Sequence, residues 1–127
     1  MPRKARERFY QKEAGSVGFL DKLFRKDRDI NEWVQEAAGV AGSVLLDVRT
    51  REEYRQGHIP GSVNVPLSEL AAVDETISAK DTPLYVYCLS GGRSARAAAQ
   101  LSGMGYASVV NMGGIAGWKG NVVEGGT

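Results

Sequence analysis

Read for its alternation of apolar and polar positions, the chain starts without a pattern and acquires one near residue 18. Residues 1–17 are polar, with Phe9 and Tyr10 the only large apolar side chains. Between Gly18 and Arg28, Phe19, Leu20, Leu23 and Phe24 recur at helical spacing, which predicts a short basic amphipathic helix. Asn31 is expected to cap a helix over 32–38 that Gly39 ends. Val44 to Val48 is a near-continuous apolar run, the pattern of a buried strand. Thr50-Arg-Glu-Glu53 has the form of a capping box and opens a short helix through Gln56. Gly57 to Gly61 reads as a loop, and Ser62 to Val65 as a short strand stopped by Pro66. Ser68 is expected to cap a helix running towards Ile77, with Leu70 and Val73 facing inward. Leu84 to Cys88 is a further apolar strand, followed by a helix from about Ser94 to Met104. Ala107 to Asn111 is another strand, and Gly113-Gly114 turns the chain towards Trp118. Strands alternating with helices predict an α/β fold, a mainly parallel sheet with helices on both faces.

Composition narrows this picture. The 127 residues suffice for one core but not for two ordinary domains. No apolar run approaches the roughly 20 residues of a membrane span. The charged start, broken by Gly15 and Gly18, does not read as a secretory signal. One cysteine excludes an internal disulfide, and one Cys with one His argues against a zinc site, so a reduced, cytoplasmic setting and no metal are expected. The net charge of +1 hides an asymmetry: residues 1–28 hold nine Lys/Arg against four Asp/Glu. The chain is therefore divided into a basic extension, 1–28, and a domain, 29–127. The extension is read as solvated, and no nucleic-acid partner is expected on so nearly neutral a chain. Residues 18–28 are expected to pack on their own domain; contact with a partner or a membrane surface is the alternative.

The chemistry converges on one stretch, Cys88-Leu-Ser-Gly-Gly-Arg93-Ser94. In an open α/β sheet, ligands bind beyond the carboxyl ends of the strands, where Cys88 is placed. The loop Leu89, Ser90, Gly91, Gly92 runs into a helix start, whose unpaired N–H groups and partial positive charge hold anions and lower a thiol pKa. Cys88 is therefore the expected nucleophile. Arg93 is expected to hold an anionic substrate at the loop rim. Ser94 is read as a cap or loop-ordering hydroxyl. Asp47 and Arg49 end the neighbouring strand as supporting residues, Asp47 bracing the loop or pairing with an arginine. His58, in a Gly-His-Ile-Pro-Gly turn, is read as scaffold rather than general base, although its ordinary pKa permits either.

Four motifs in order resemble a single-domain rhodanese: Leu46-Asp-Val-Arg-Thr-Arg-Glu-Glu-Tyr54, Gly57-His-Ile-Pro-Gly-Ser-Val-Asn-Val-Pro66, the Cys88–Ser94 loop, and Asn111-Met-Gly-Gly-Ile115 with Trp118. The resemblance covers about residues 29–124. It implies a three-layer rhodanese-like sandwich with a five-stranded, mainly parallel sheet. It further implies a sulfurtransferase without cofactor, in which Cys88 carries sulfane sulfur as a persulfide. The N–H groups of Leu89 to Ser94 would cradle the outer sulfur, and Arg93 would favour a small anionic donor such as thiosulfate. The acceptor would be cyanide or an external thiol, including a protein sulfur-relay partner. Related phosphatases and arsenate reductases use five residues between Cys and Arg, whereas four stand between Cys88 and Arg93, a cradle fitting one sulfur better than an oxyanion. The rival from another class is a binding or regulatory module, or a persulfide carrier, within a larger assembly.

Overall fold

The computed structural model describes residues 28–126. The amphipathic segment expected at 18–28 therefore lies outside it, save Arg28. Four parallel strands form the sheet: β1 Val44–Asp47, β2 Val63–Asn64, β3 Leu84–Cys88 and β4 Val109–Gly114, ordered β2-β1-β3-β4. The resemblance implied a fifth strand, but four are present among the described residues. The chain's own pattern offers only four β-favouring runs; the fifth rested on resemblance alone.

Alternation along β3 divides the core. Leu84, Val86 and Cys88 face one layer with Leu46, Leu70, Val73, Ala97, Ala98 and Leu101. Tyr85 and Tyr87 face the other, with Ile30, Trp33, Val110 and Met112. β3 is buried along its whole length, which explains its unbroken apolar sequence. Helix α1, Ile30–Ala38, covers the tyrosine face, and helix α3, Gly92–Gly103, covers the opposite one. Small Ala97 and Ala98 let α3 sit close to the sheet, and the cluster buries them completely or nearly so.

Local chemistry shifts several expected boundaries. Asp29, not Asn31, caps α1, in a reciprocal capping box with Glu32. Asn31 instead reaches across the chain, donating to the Gly117 carbonyl and accepting from the Lys119 N–H. The segment Leu67–Glu75 is a 3-10 helix entered from Pro66 with no side-chain cap, so Ser68 does not cap it. Leu70 and Val73 do face the core. Helix α2, Arg51–Gln56, carries the expected Thr50–Glu53 capping box. β4 starts two residues later than expected and runs on through Gly114, with an irregular register that sets Val86 opposite Asn111 but Tyr87 opposite Gly113. Met112 is the extra residue of this bulge. Beyond it, the tail returns to α2: His58 and Val123 form an isolated antiparallel bridge, and the Gly125 N–H donates to the Arg55 carbonyl at 2.7 Å.

Candidate active site

Cys88 ends β3, and α3 starts four residues later, so the intervening loop must reverse within a very short span. Gly91 permits this: it lies at φ +110°, a conformation costly for residues with a Cβ. As the N-cap of α3 it supplies no side-chain cap, leaving the first N–H groups of the helix free of such a partner. The sulfur takes up that role. The Gly91 N–H donates to Cys88 Sγ at 3.0 Å, and Sγ lies 3.4 Å from Ser94 Oγ. Burial pushes the Cys88 thiol up, but the polar surroundings of the sulfur, the Ser94 side chain and the N–H groups of Ser94, Gly91 and Ser90, outweigh it, so its pKa falls below the ordinary thiol value.

The loop is clamped from β4. A Cβ on Gly114 would stand 2.1 Å from the Leu89 carbonyl oxygen and 2.5 Å from Ser90 Cα, contacts no relaxed structure tolerates. The Ala116 N–H donates to that same carbonyl at 3.1 Å. Leu89 itself turns outward and is 47% exposed, while Cys88 is 1% exposed. A cleft of about 690 Å³ opens beside the loop, lined among others by Ile30, Leu89, Gly92, Met112 and Ala116. Cys88 lies under the loop and does not line the cleft.

The remaining expected residues separate into three groups. Arg93 makes a bidentate pair with Glu53, at 2.7 and 3.0 Å, which ties the start of α3 to α2. That pair holds the Glu53 carboxyl down at about 2, with the Thr50 N–H and hydroxyl assisting and burial opposing. Asp47 and Arg49 pair with each other in the interior, Nη2 to Oδ2 at 2.6 Å, and Arg49 also donates to the Gly57 carbonyl. Their side chains are 0% and 6% exposed, so each neutralises a charge the other could not leave buried alone. His58 stacks on Tyr54, ring centroids 3.6 Å apart, with Nδ1 2.8 Å from the Tyr54 carbonyl. Among the described residues, neither Asp47 nor His58 hydrogen-bonds to the thiol or its loop.

Two contributors escaped the sequence reading, and a third was seen only as a turn. Glu53 was visible solely as a capping-box residue. Asn111 Oδ1 accepts from Ser94 Oγ at 2.7 Å and from the Gly113 N–H at 3.0 Å. Its signal was a lone amide in an apolar strand. Gly114 stood as a turn glycine, whereas its role is close approach to the loop backbone.

The family model for the Rhodanese-like domain matches residues 30–121. The thiosulfate sulfurtransferase PspE of Escherichia coli (strain K12) is 39% identical over 71 residues, 55% of this chain and 68% of that protein. The adenylyltransferase and sulfurtransferase uba4 of Ogataea parapolymorpha is 33% identical over 98 residues, 76% of this chain. This chain spans only 25% of that longer relative. Among solved structures, a rhodanese with anions from E. coli superposes with a TM-score of 0.61 at 36% identity, covering 65% of this chain and 99% of the other.

Proposed function

The chain belongs to the rhodanese-like domain family, and on that premise we propose that it moves sulfane sulfur from a small anionic donor such as thiosulfate to cyanide or a thiol acceptor through a Cys88 persulfide. The observation that carries this reading is the thiol at the mouth of an uncapped helix start, with Gly91 N–H on the sulfur and four residues between Cys88 and Arg93. The relatives named as sulfurtransferases support transfer as the reaction class, and the neighbour described with anions supports an anion-accepting loop.

The thiol first loses its proton to solvent. Cys88 thiolate then attacks the outer sulfur of thiosulfate; the new S–S bond forms as the donor's S–S bond breaks, and its electron pair leaves with sulfite. Loop N–H groups stabilise charge on the transferred sulfur. Cyanide carbon, or an acceptor thiolate, next attacks that outer sulfur and releases Cys88 as thiolate. With no second cysteine in the chain, the acceptor comes from another molecule. A protein thiol or sulfur carrier is a natural acceptor. Residues 1–28 are proposed as an extension outside the catalytic domain, which we place at 29–127.

Intact mass after incubation with thiosulfate is expected to show one added sulfur, absent in Cys88→Ser, with thiocyanate formed on adding cyanide. Wild-type protein that gains no sulfur and forms no thiocyanate would reject thiosulfate as donor. Loading without turnover, together with partner capture lost on deleting residues 1–28, would instead favour the carrier-module reading.

A further inference from the structure

We propose that Asn111 is a positioning residue that sets the ionisation of Cys88 by controlling which way the Ser94 hydroxyl points. Ser94 has one hydroxyl proton and four neighbours that could use it. Asn111 Oδ1 stands at 2.7 Å, the Gly91 carbonyl at 3.1 Å, the Gly113 carbonyl at 3.4 Å, and Cys88 Sγ at 3.4 Å. The orientation of the Asn111 amide is settled by its other partner. The Gly113 N–H, 3.0 Å away, can only donate, so the atom facing both it and Ser94 is the carbonyl oxygen. That oxygen only accepts, so Ser94 must be the donor between them. The shortest contact therefore draws the hydroxyl proton away from the sulfur and leaves an oxygen lone pair facing it. In this arrangement Ser94 accepts from the S–H and stabilises the neutral thiol. It favours the thiolate only after the hydroxyl turns to the sulfur and releases Asn111.

Register explains why Asn111 can do this. It pairs with Val86, two residues before Cys88, and so projects to the same face of the sheet. Met112, the extra residue of the bulge, packs on the opposite face with Tyr87. The other charged groups near the thiol are already committed: Arg93 to Glu53 from α2, and Asp47 to Arg49 at the end of β1. Ser94 is itself 0% exposed. The rotation exchanges one hydrogen bond for another and moves no covalent bond; the thiol proton leaves to solvent. A resting thiol held in this way is less open to oxidation, which follows thiolate character.

Because Cys88 is the sole thiol, its titration can be followed by ultraviolet thiolate absorbance and by the pH dependence of iodoacetamide alkylation, neither of which needs a sulfur donor. The result thus stands apart from the transfer reaction itself. Asn111→Ala is expected to move the midpoint to lower pH, raising the thiolate fraction below it about three- to tenfold, the worth of one neutral hydrogen bond. The same substitution in a Ser94→Ala background is expected to leave the midpoint in place. Asn111→Asp keeps the acceptor for the Gly113 N–H and is expected to raise the midpoint, by less once Ser94 is removed. An unmoved midpoint in Asn111→Ala would overturn the proposal, as would equal shifts with and without Ser94. Should Asn111→Ala fail to fold, the Asn111→Asp pair decides alone: a rise independent of Ser94 is plain charge repulsion and rejects it.

Discussion

Arg93 illustrates how a side chain can sit at the rim of an anion-binding loop and still be engaged elsewhere. Its guanidinium is held in a two-bond fork by Glu53, so a donor anion in contact with Arg93 must share or displace a carboxylate. Glu53→Gln keeps the shape and removes the competing charge. We expect it to lower the KM for thiosulfate about two- to fivefold, the scale of a partly exposed ion pair, with kcat little changed. Steady-state kinetics would test this, and a KM unmoved by the substitution would mean that the donor does not use Arg93. A single-residue reading of the sequence assigns charge to Arg93 correctly but cannot see its partner, because Glu53 lies forty positions away on another helix. Asp47 and Arg49 are the opposite case, two positions apart, where proximity in sequence makes pairing foreseeable.

Among the elements, β4 does more than close the sheet. Its last glycine lies so close to the Leu89 and Ser90 backbone that any side chain must push the loop off the strand. Gly114→Ala is therefore expected to abolish sulfur loading of Cys88 while leaving the circular dichroism of the fold. Gly103→Ala, at the end of α3 where added methyl meets nothing within 4 Å, should leave loading intact and stabilise the helix by roughly 0.5–1 kcal/mol. Loading at wild-type level in Gly114→Ala would show that the loop tolerates displacement. Much of this architecture was legible in the chain. Apolar runs placed all four strands, and the Thr50–Glu53 box opened α2 as observed. Where the reading slipped, tertiary contacts decided. Asn31 looks like a cap, yet it is recruited to Gly117 and Lys119, leaving the role to Asp29. The bulge at Met112 leaves no mark that alternation can register, so the pairing of Gly113 and Gly114 with Tyr87 and Cys88 could not be derived from β4 alone.

For the molecule as a whole, acid sensitivity should follow its carboxylates. Glu53 sits at about 2 instead of 4.5, first because of the hydrogen bond from Arg93. Asp29 is lowered chiefly by the Glu32 N–H, and Glu69 chiefly by Arg51. A carboxylate depressed in the fold binds protons more readily once unfolded, so it stabilises fully above its unfolded pKa and loses that contribution as pH falls through the folded one. Thermal midpoints should therefore hold down to about pH 4.5 as far as these groups are concerned, then fall towards pH 2. Glu53→Gln should flatten part of that descent; an identical acid profile in the variant would refute the assignment. No helix among the described residues is long and apolar enough to cross a membrane.

The tail's return to α2 has a practical side. Gly125 is bonded to the Arg55 carbonyl, Val123 is bridged to His58, and Gly126 approaches Tyr54 and His58. The same six-residue helix carries Glu53, and through it Arg93. A tag or fused partner joined after Gly126 would thus hang from the element that positions the rim of the loop. Assays of sulfur transfer are better served by affinity handles at the other terminus, and rates measured with the two placements should be compared before any difference is ascribed to the donor.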